Sequence, residues 1–554
     1  MDGKKTKSFT QSVIILLAAQ IIVKVLGMLY RMVITNMDGF GDIGNGYYSA
    51  GFQVYTLLLA LSSVGIPNAI SKLISERTAL FDREGANQIL KTALFIFAVI
   101  GAVLSAGLYF FAEPIADDLL DMDGAKYTLA ALSPSIFFVC VSSVFRGYFS
   151  GINKVQFMSI SQIIEQVLKS ALTIMFVFFA IGSSPEWMAA YANLATTAAT
   201  VCGTLYLVFV YFFKRERPVP SHTDGRSVGF YAVACQILKI AVPISLCSII
   251  SAVNRIIDTA TITRGIETAF AGGIPAYGDA AAIVNPSAAQ LDAAAVRLSG
   301  MLSKSDTLIN LPLALNIALA TVLVPSISAC CARGDTPMIQ KYIGSSYLAS
   351  ILLILPCAVG YAVLAAPIYH LIYPNSALGY ELLQLGTVSL VFTALNQTMT
   401  GALQGVGKVY VPAFALFVGC IVKLIANRML ISIPQINIYG AVIGSVLCQF
   451  AVFVIEFYHL AKYLPRKKAG KGVALKLFAC NAVLAAAAFF LYSTVYRATG
   501  ITAAAIAAAV ILSALLYGIG IVWALPKEVC EKIPVLDKVY QFFEKGMYGI
   551  KKLW

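Results

Sequence analysis

Across 554 residues the chain is 59% hydrophobic and only 12% charged, about half the charged share of an average soluble domain. That excludes a soluble enzyme and predicts an all-α polytopic membrane protein, because a spanning helix needs about 20 mostly apolar residues. The formal net charge of +13 does not call for nucleic acid, since it gathers on one membrane face and suits anionic lipid.

In chain order the apolar runs predict about fourteen transmembrane helices, near residues 9–35, 47–75, 90–112, 127–149, 157–182, 187–213, 236–262, 304–330, 341–366, 381–403, 411–433, 439–462, 473–497 and 500–524. The first lacks a small-residue cleavage site and continues as a full span, so it reads as a retained helix rather than a signal peptide. With the N-terminus inside, most of the 40 Lys and Arg residues fall in inner segments. The outer loops hold only Lys126, Arg264, Arg297, Lys304 and Arg497. One missed helix would scramble that positive-inside pattern, and both termini are expected in the cytoplasm.

Landmarks recur about 255 residues apart. Gly151-Ile-Asn-Lys154-Val155 returns as Gly405-Val-Gly-Lys408-Val409, and at the same offset Lys169 falls on Lys423. Glu113-Pro114-Ile115 answers to Ala366-Pro367-Ile368, and Ile66-Pro67-Asn-Ala-Ile-Ser71 to Val324-Pro325-Ser-Ile-Ser328. Each repeat holds an even number of spans. The chain therefore reads as two parallel six-helix lobes plus two additional C-terminal helices, an architecture of transporters. The expected division is an N-lobe at 1–213, a cytoplasmic linker at 214–235, a C-lobe at 236–462 and helices 13 and 14 at 463–525. A cytoplasmic amphipathic tail follows at 526–554, with Val535, Val539, Phe542, Phe543 and Met547 on one helical face. The longest outer loop, about 263–303, is too short for a catalytic domain and reads as a cap.

Eight basic residues fall inside expected spans: Lys24, Arg31, Arg146, Lys169, Lys239, Arg255, Lys423 and Arg428. Each costs roughly 2.5–3.5 kcal/mol at a helix centre. Arg146 and Lys239 lie near the inner ends and can snorkel. Glu165 precedes Lys169 by one turn, which predicts a structural ion pair. Lys24 and Arg31 are seven apart on one stripe of the first helix, with no acid in that helix. Arg255 holds the corresponding place in the seventh. Three cations facing one cavity would bind a phosphate-bearing ligand; the bland alternative pairs each with Glu165, Asp258, Asp306 or Glu456. Asp258, three residues after Arg255, is the natural site for a coupling cation. The eleven cysteines are scattered through apolar runs and read as small core residues. The three histidines lie far apart, so no metal site and no cofactor are expected.

Val25-Leu-Gly27, Asp38-Gly-Phe-Gly-Asp-Ile-Gly-Asn-Gly46, Gly65-Ile-Pro-Asn-Ala-Ile-Ser-Lys72, Asn310-Leu-Pro-Leu-Ala-Leu, Leu323-Val-Pro-Ser-Ile-Ser328 and Gly401-Ala-Leu-Gln-Gly-Val-Gly-Lys408 together resemble the lipid II flippases of the MurJ type. The closer likeness is to the Gram-positive branch that includes stage V sporulation protein B, within the multidrug/oligosaccharidyl-lipid/polysaccharide exporter superfamily. The resemblance runs over essentially the whole chain. It implies a bacterial cytoplasmic membrane, alternating access, and a cationic cavity that takes the lipid's diphosphate and sugar. It also implies a groove made by helices 13 and 14 for the polyprenyl tail. In that likeness Lys24 stands at the family's helix-1 cation. Arg31 falls one place beyond a second family arginine, where this chain has Tyr30. Asp306 matches an acid at the start of helix 8, followed here by Thr307 instead of an arginine, and Asn45 stands where many relatives have Asp. Asp258 falls at a helix-7 acid that some relatives use for sodium. Their helix-11 partner is Lys423 here, with Asn427 one turn on. The Lys423 ammonium is thus expected as a built-in counterion to Asp258.

The leading expectation is a flippase, not an enzyme, that moves a polyprenyl-diphosphate-linked saccharide outward, lipid II first among candidates. Its partners are that lipid and the surrounding membrane lipids, and a monomer suffices. Sodium, protons or the membrane potential are the coupling candidates. A flippase for another lipid-linked oligosaccharide and a drug or cation exporter are the alternatives of the same class. An organic-cation exporter calls for an acidic cavity. A membrane glycosyltransferase or polymer ligase would show clustered Asp, Glu or His at loop–helix junctions.

Overall fold

Within the described residues, each apolar run expected to span the membrane overlaps a helix in the computed structural model, which describes residues 22–63, 65–80, 82–152, 154–213, 229–276, 282–463 and 471–524. The order begins with α1 (22–35), α2 (Gly41–Ser63), α3 (Gly65–Ala79) and α4 (Arg83–Phe110). A single turn, α5 (Ala112–Pro114), runs into a π-helical turn at Ile115–Leu119, then come α6 (Ala125–Gly151), α7 (Val155–Phe179), α8 (Pro185–Phe213) and α9 (Phe230–Phe270). A two-stranded hairpin, β1 (Gly273–Ile274) with β2 (Ile283–Val284), precedes α10 (Ala288–Ala332), α11 (Thr336–Ile372), α12 (Tyr380–Gly405) and α13 (Tyr410–Leu430). The order closes with α14 (Tyr439–Leu460), α15 (Lys471–Thr499) and α16 (Thr502–Ala524). Among the described residues ten helices are long and apolar enough to cross a membrane. The tail and most of the expected linker lie outside the described residues.

One boundary differs from expectation. The outer loop expected over 263–303 is largely helix: α9 runs on to Phe270 and α10 begins at Ala288. Asp292 and Arg297 depress the hydropathy of that stretch, but its alanines, leucines and glutamine are strong helix formers, and a helix need not be apolar to form. At Gly65, within the run expected at 47–75, a Cβ would sit 2.0 Å from Ser245 Oγ and 2.5 Å from the Ala241 carbonyl oxygen of α9. Only glycine admits α9 so close.

Two compact units result: Met1–Lys304 with Lys423–Ala441, and Ser305–Val422 with Val442–Trp554. Their boundaries fall inside α10, α13 and α14. In the first unit, Val233, Ile237 and Ala241 of α9 and Val296 of α10 join one core with Ile66, Ile70, Leu132 and Val144. In the second, α12 packs on α10 and α11 around Leu313, Ile354, Ala358 and Leu390.

The internal repeat is visible in how glycines seat helices inside each unit. A Cβ at Gly147 would lie 2.9 Å from the Pro67 carbonyl oxygen, and one at Gly151 would lie 2.9 Å from Ile74 Cβ, so α6 rides directly on α3. In the second unit a Cβ at Gly401 would lie 3.1 Å from the Ala320 carbonyl oxygen and one at Gly405 2.8 Å from Ile327 Cβ, so α12 rides on α10. Small residues four apart let backbones approach, which is how helices associate where lipid removes the hydrophobic drive between them. Hydroxyls fasten both seams: Ser71 Oγ donates to Ser150 Oγ at 3.1 Å, and Ser328 Oγ to the Gly405 carbonyl at 3.1 Å. The outer surfaces are strongly apolar, as at Phe213 (74% exposed), Phe478 (73%) and Phe490 (67%). Such faces suit lipid and would be sticky in water. Cys140, Cys420, Cys448 and Cys480 are buried as expected, whereas Cys202, Cys235 and Cys331 are exposed.

Candidate functional site

Two polar clusters occupy the apolar interior of the first unit. The first gathers around α1. Lys24 is exposed on that helix, and like-charge repulsion from Arg255 of α9 and Lys169 of α7 reaches it. Arg31, two turns on, is half-buried. Its guanidinium donates to Ser49 Oγ of α2 at 3.0 Å and Ser303 Oγ of α10 at 3.2 Å, and it lies 4.8 Å from the centre of the Tyr48 ring. Ser49 and Ser303 are hydrogen-bonded to each other, and the Tyr30 and Tyr48 hydroxyls meet at 2.8 Å. Arg31 therefore helps to fasten α1, α2 and α10 together.

Glu165 and Lys169 do not form the expected ion pair. Arg146 of α6 donates to Glu165 Oε2 at 2.6 Å, and Thr200 of α8 donates to Oε1 at 3.3 Å. The guanidinium brings a charge-assisted bond that the four-residue spacing on α7 cannot outcompete. Lys169 turns instead to the ring faces of Phe52, at 4.3 Å, and Tyr30, at 5.7 Å. The signal for Arg146 was the helical hairpin itself. The chain turns just after Gly151, which leads α7 back beside α6 and brings Glu165 within reach of the long Arg146 side chain.

Asn45 is corrected as well. Its side chain is buried, and Nδ2 donates to the Gly300 carbonyl at 3.0 Å. It is a strut at a tight crossing of α2 over α10, where a Cβ on Gly46 would lie 2.3 Å from the Val296 carbonyl oxygen. Close by, Lys304 Nζ meets Asp42 Oδ1 at 2.6 Å, with both side chains buried. The sequence placed Lys304 in an outer loop and did not single out Asp42. Asp306 belongs to the second unit, exposed on α10.

The second cluster lies between α9 and the end of α13. Lys423 Nζ stands 2.6 Å from Asp258 Oδ2 and donates to the Asn254 carbonyl at 3.1 Å. Asn427 Nδ2 donates to Asp258 Oδ1 at 3.1 Å and to Thr261 Oγ1 at 2.9 Å. Lys423 and Asn427 are buried. Both oxygens of the carboxylate are thus engaged, and the ammonium supplies a charge that repels a metal cation. The residues present do not fit a sodium ion at Asp258.

In the second unit Glu456 of α14 is buried, with Thr400 of α12 donating to Oε1 at 2.7 Å and Oε2 left without a hydrogen-bond partner. At the C-terminal end of α9, burial and the hydrogen bond that protonated Glu267 donates to Asp292 push Glu267 up to about 7. Among the described residues no group of His, Cys, Asp and Glu is placed to hold a metal ion.

A family described as polysaccharide biosynthesis protein matches residues 9–330. Lipid II flippase MurJ of Bacillus subtilis (strain 168) is 23% identical over 459 residues, spanning 79% of this chain and 80% of that one. Stage V sporulation protein B of the same organism is 24% identical over 482 residues, spanning 83% and 85%. Among solved structures, lipid II flippase MurJ in an inward closed conformation aligns with a TM-score of 0.67 at 14% identity, over 92% of this chain and 99% of that one. An inward-facing multidrug resistance MATE family transporter of the MOP superfamily aligns with a TM-score of 0.64 at 14% identity, over 81% and 98%. The structural likeness at this identity is one of fold.

Proposed function

Because the chain belongs to the polysaccharide biosynthesis protein family, we propose that this multi-pass membrane transporter is a flippase for a polyprenyl-diphosphate-linked saccharide, with lipid II the first candidate. The observation that carries this reading is a mismatch of charges. Glu165 is held by Arg146 and Asp258 by Lys423, so both of these acids are already neutralised. Arg255 and Lys169 add positive charge to the surroundings of Lys24. A cationic centre inside an apolar bundle suits an anionic headgroup and opposes an organic cation.

In this reading the chain lies in the plasma membrane with both termini in the cytoplasm and works as a monomer by alternating access. Asp258, Lys423 and Asn427 form an internal ion pair in place of a bound coupling cation. The tail of the lipid runs along α15 and α16, which pack on each other and on α11 and expose Leu475, Phe478, Phe490 and Ile511. The comparable identities to a lipid II flippase and to a sporulation protein support a second cargo, another lipid-linked glycan.

The test is surface-accessible lipid II in cells depleted of their own flippase and expressing this chain. Return of accessible lipid II with the intact chain, and not with Lys24→Ala, supports the reading. Accessible lipid II that stays low although the protein is inserted and stable removes lipid II as cargo.

A further inference from the structure

Each unit sets a glutamate between its helices, and the two are compensated differently. In the first, Arg146 of α6 donates to Glu165 Oε2 at 2.6 Å. The 254-residue offset that carries Gly147 to Gly401 and Gly151 to Gly405 carries Arg146 to Thr400 of α12. In the second unit Thr400 donates to Glu456 Oε1 at 2.7 Å, and Oε2 has no hydrogen-bond partner. A hydroxyl has taken the place of a guanidinium: it donates one bond and brings no charge. Glu456 is fully enclosed, at 0% exposure. An ionised carboxylate there would be a bare charge, and an acid buried without a counterion stays neutral instead.

The surroundings supply no counterion. Met399 and Leu403 of α12 share an apolar cluster with Phe453 and Leu460 of α14, which also takes in Cys330 of α10 and Tyr347 of α11. Gly419 seats α13 on the same helix, where a Cβ would lie 2.9 Å from Val452 Cγ2. Next to it Cys420 is buried, and Lys423, one turn on, is spent on Asp258. His459 bonds to the Ile455 carbonyl, and Lys408 and Lys462 lie over the ring of Tyr463 at 5.7 and 5.4 Å. Among the described residues none of these groups is hydrogen-bonded or ion-paired to the Glu456 carboxyl, which Thr400 alone holds. Toward the middle of α14 the seam stays polar. Asn396, one turn before Thr400, donates to Gln449 Oε1 at 2.8 Å, and its own Oδ1 is buried without a partner. In the other direction α14 ends at Leu460, one turn beyond Glu456.

We infer that Glu456 is a proton-binding site of the transport cycle, neutral while the seam between α12 and α14 is closed and ionised when that seam admits water. The inference rests on the transporter reading and adds its coupling ion. In the ionising step the Oε2–H bond breaks, its electron pair stays on the carboxylate, and the proton passes to water at the near end of α14; uptake is the reverse. A residue that only packed the seam would be served as well by glutamine, which accepts the same bond from Thr400 and adds a donor of its own. What glutamine lacks is a proton to lose. An ionisable side chain is costly inside a membrane protein, and where it is kept it marks an ion or proton path. Asp258 is closed to this role by Lys423, 2.6 Å away.

The experiment uses the full chain in nanodiscs and reads the infrared carbonyl stretch of protonated carboxylic acid, on a Glu267→Gln background that removes the titrating acid at the end of α9. At neutral pH a protonated-acid band is expected that Glu456→Gln lacks, and it should fade as the pH is raised toward about 9. Glu456→Gln should melt no lower than the intact chain, since the bond from Thr400 remains. In proteoliposomes holding lipid II, a gradient of one pH unit is worth about tenfold per proton, so it should shift the distribution of lipid II between the leaflets by up to that factor. Glu456→Gln is expected to lose the shift and Glu456→Asp to retain part of it. If neutral pH shows no band that depends on Glu456, the residue is ionised and the inference falls. A band unchanged across the range, or a gradient response that survives in Glu456→Gln, makes Glu456 a packing residue; the inference then falls while the flippase reading stands. If the intact chain moves no lipid II under any gradient, lipid II is refuted as cargo, and the infrared titration alone upholds or overturns the proton site.

Discussion

Lys304 Nζ lies 2.6 Å from Asp42 Oδ1, and both side chains are buried where α10 crosses α2. The charges are 262 positions apart in sequence and belong to one compact unit. Their burial is tolerated because each is the other's partner. Removing one leaves a bare charge, at a cost of about 3–5 kcal/mol. Lys304→Met should therefore lower the thermal midpoint of the purified protein sharply, and Lys304→Met with Asp42→Asn should recover most of the loss. A single variant as stable as the intact chain would show that the pair does not hold the crossing.

The same crossing makes a steric prediction. A Cβ on Gly300 would lie 1.8 Å from the Asp42 carbonyl oxygen, whereas one on Gly107 of α4 meets nothing within 4 Å. Gly300→Ala must push backbone away from backbone and should cost about 1–3 kcal/mol. Gly107→Ala should be neutral or gain up to about 1 kcal/mol from helix propensity. Paired melting curves in one detergent decide it, and equal effects at the two sites would refute the packing argument.

Among the described residues, Lys423 and Asn427 hold the two carboxylate oxygens of Asp258. Lys423→Ala is expected to destabilise the protein by about 3 kcal/mol, since the carboxylate is then stranded. With the ammonium in place, flipping by the intact chain in vesicles should be indifferent to sodium. Sodium-dependent transport that Asp258→Ala abolishes would overturn the internal ion pair.

The helices were legible because apolar runs of membrane-spanning length carry their own signal, and the 254-residue repeat of Gly151 at Gly405 marked a seam that each unit builds in the same way. The stripe of Lys24 and Arg31 followed from helical spacing alone. What spacing could not reveal was which partner wins. Lys169 had Glu165 one turn away, but Arg146 reaches Glu165 from another helix. Arg31 is claimed by Ser303, 272 positions away. Lys304 was misplaced because hydropathy measures affinity for lipid, and the polar start of α10 is helical for other reasons. The pairing of Asp258 with Lys423 came into view only through a family resemblance, since nothing local joins residues 165 apart.

The C-terminal end of α9 supplies a pH prediction. Burial, followed by the hydrogen bond and negative charge of Asp292, raises Glu267 to about 7 from the ordinary carboxylate range. An acid held protonated by the fold binds more protons folded than unfolded between roughly pH 4.5 and 7, so stability falls as pH rises through that window. Glu267 is partly exposed, and solvent screening reduces the effect to about 1 kcal/mol. The melting midpoint should drop between pH 5 and pH 8, and Glu267→Gln should flatten the slope. An unchanged slope in Glu267→Gln would assign the pH response to other groups.

Arg146 offers a test of the cationic centre around Lys24 from a residue that need not touch the ligand. By holding Glu165 at 2.6 Å it keeps that carboxylate away from Lys169, one helical turn further along α7. Arg146→Gln frees Glu165, and Lys169 can then close on it as the local spacing allows. Diphosphate-lipid binding should weaken by about tenfold, although the cations Lys24, Lys169 and Arg255 are all still present. Adding Glu165→Gln removes the competitor and should restore binding, a non-additive pattern expected of residues in one network. If the double variant binds no better than Arg146→Gln, the arginine contributes in some way other than sequestering Glu165.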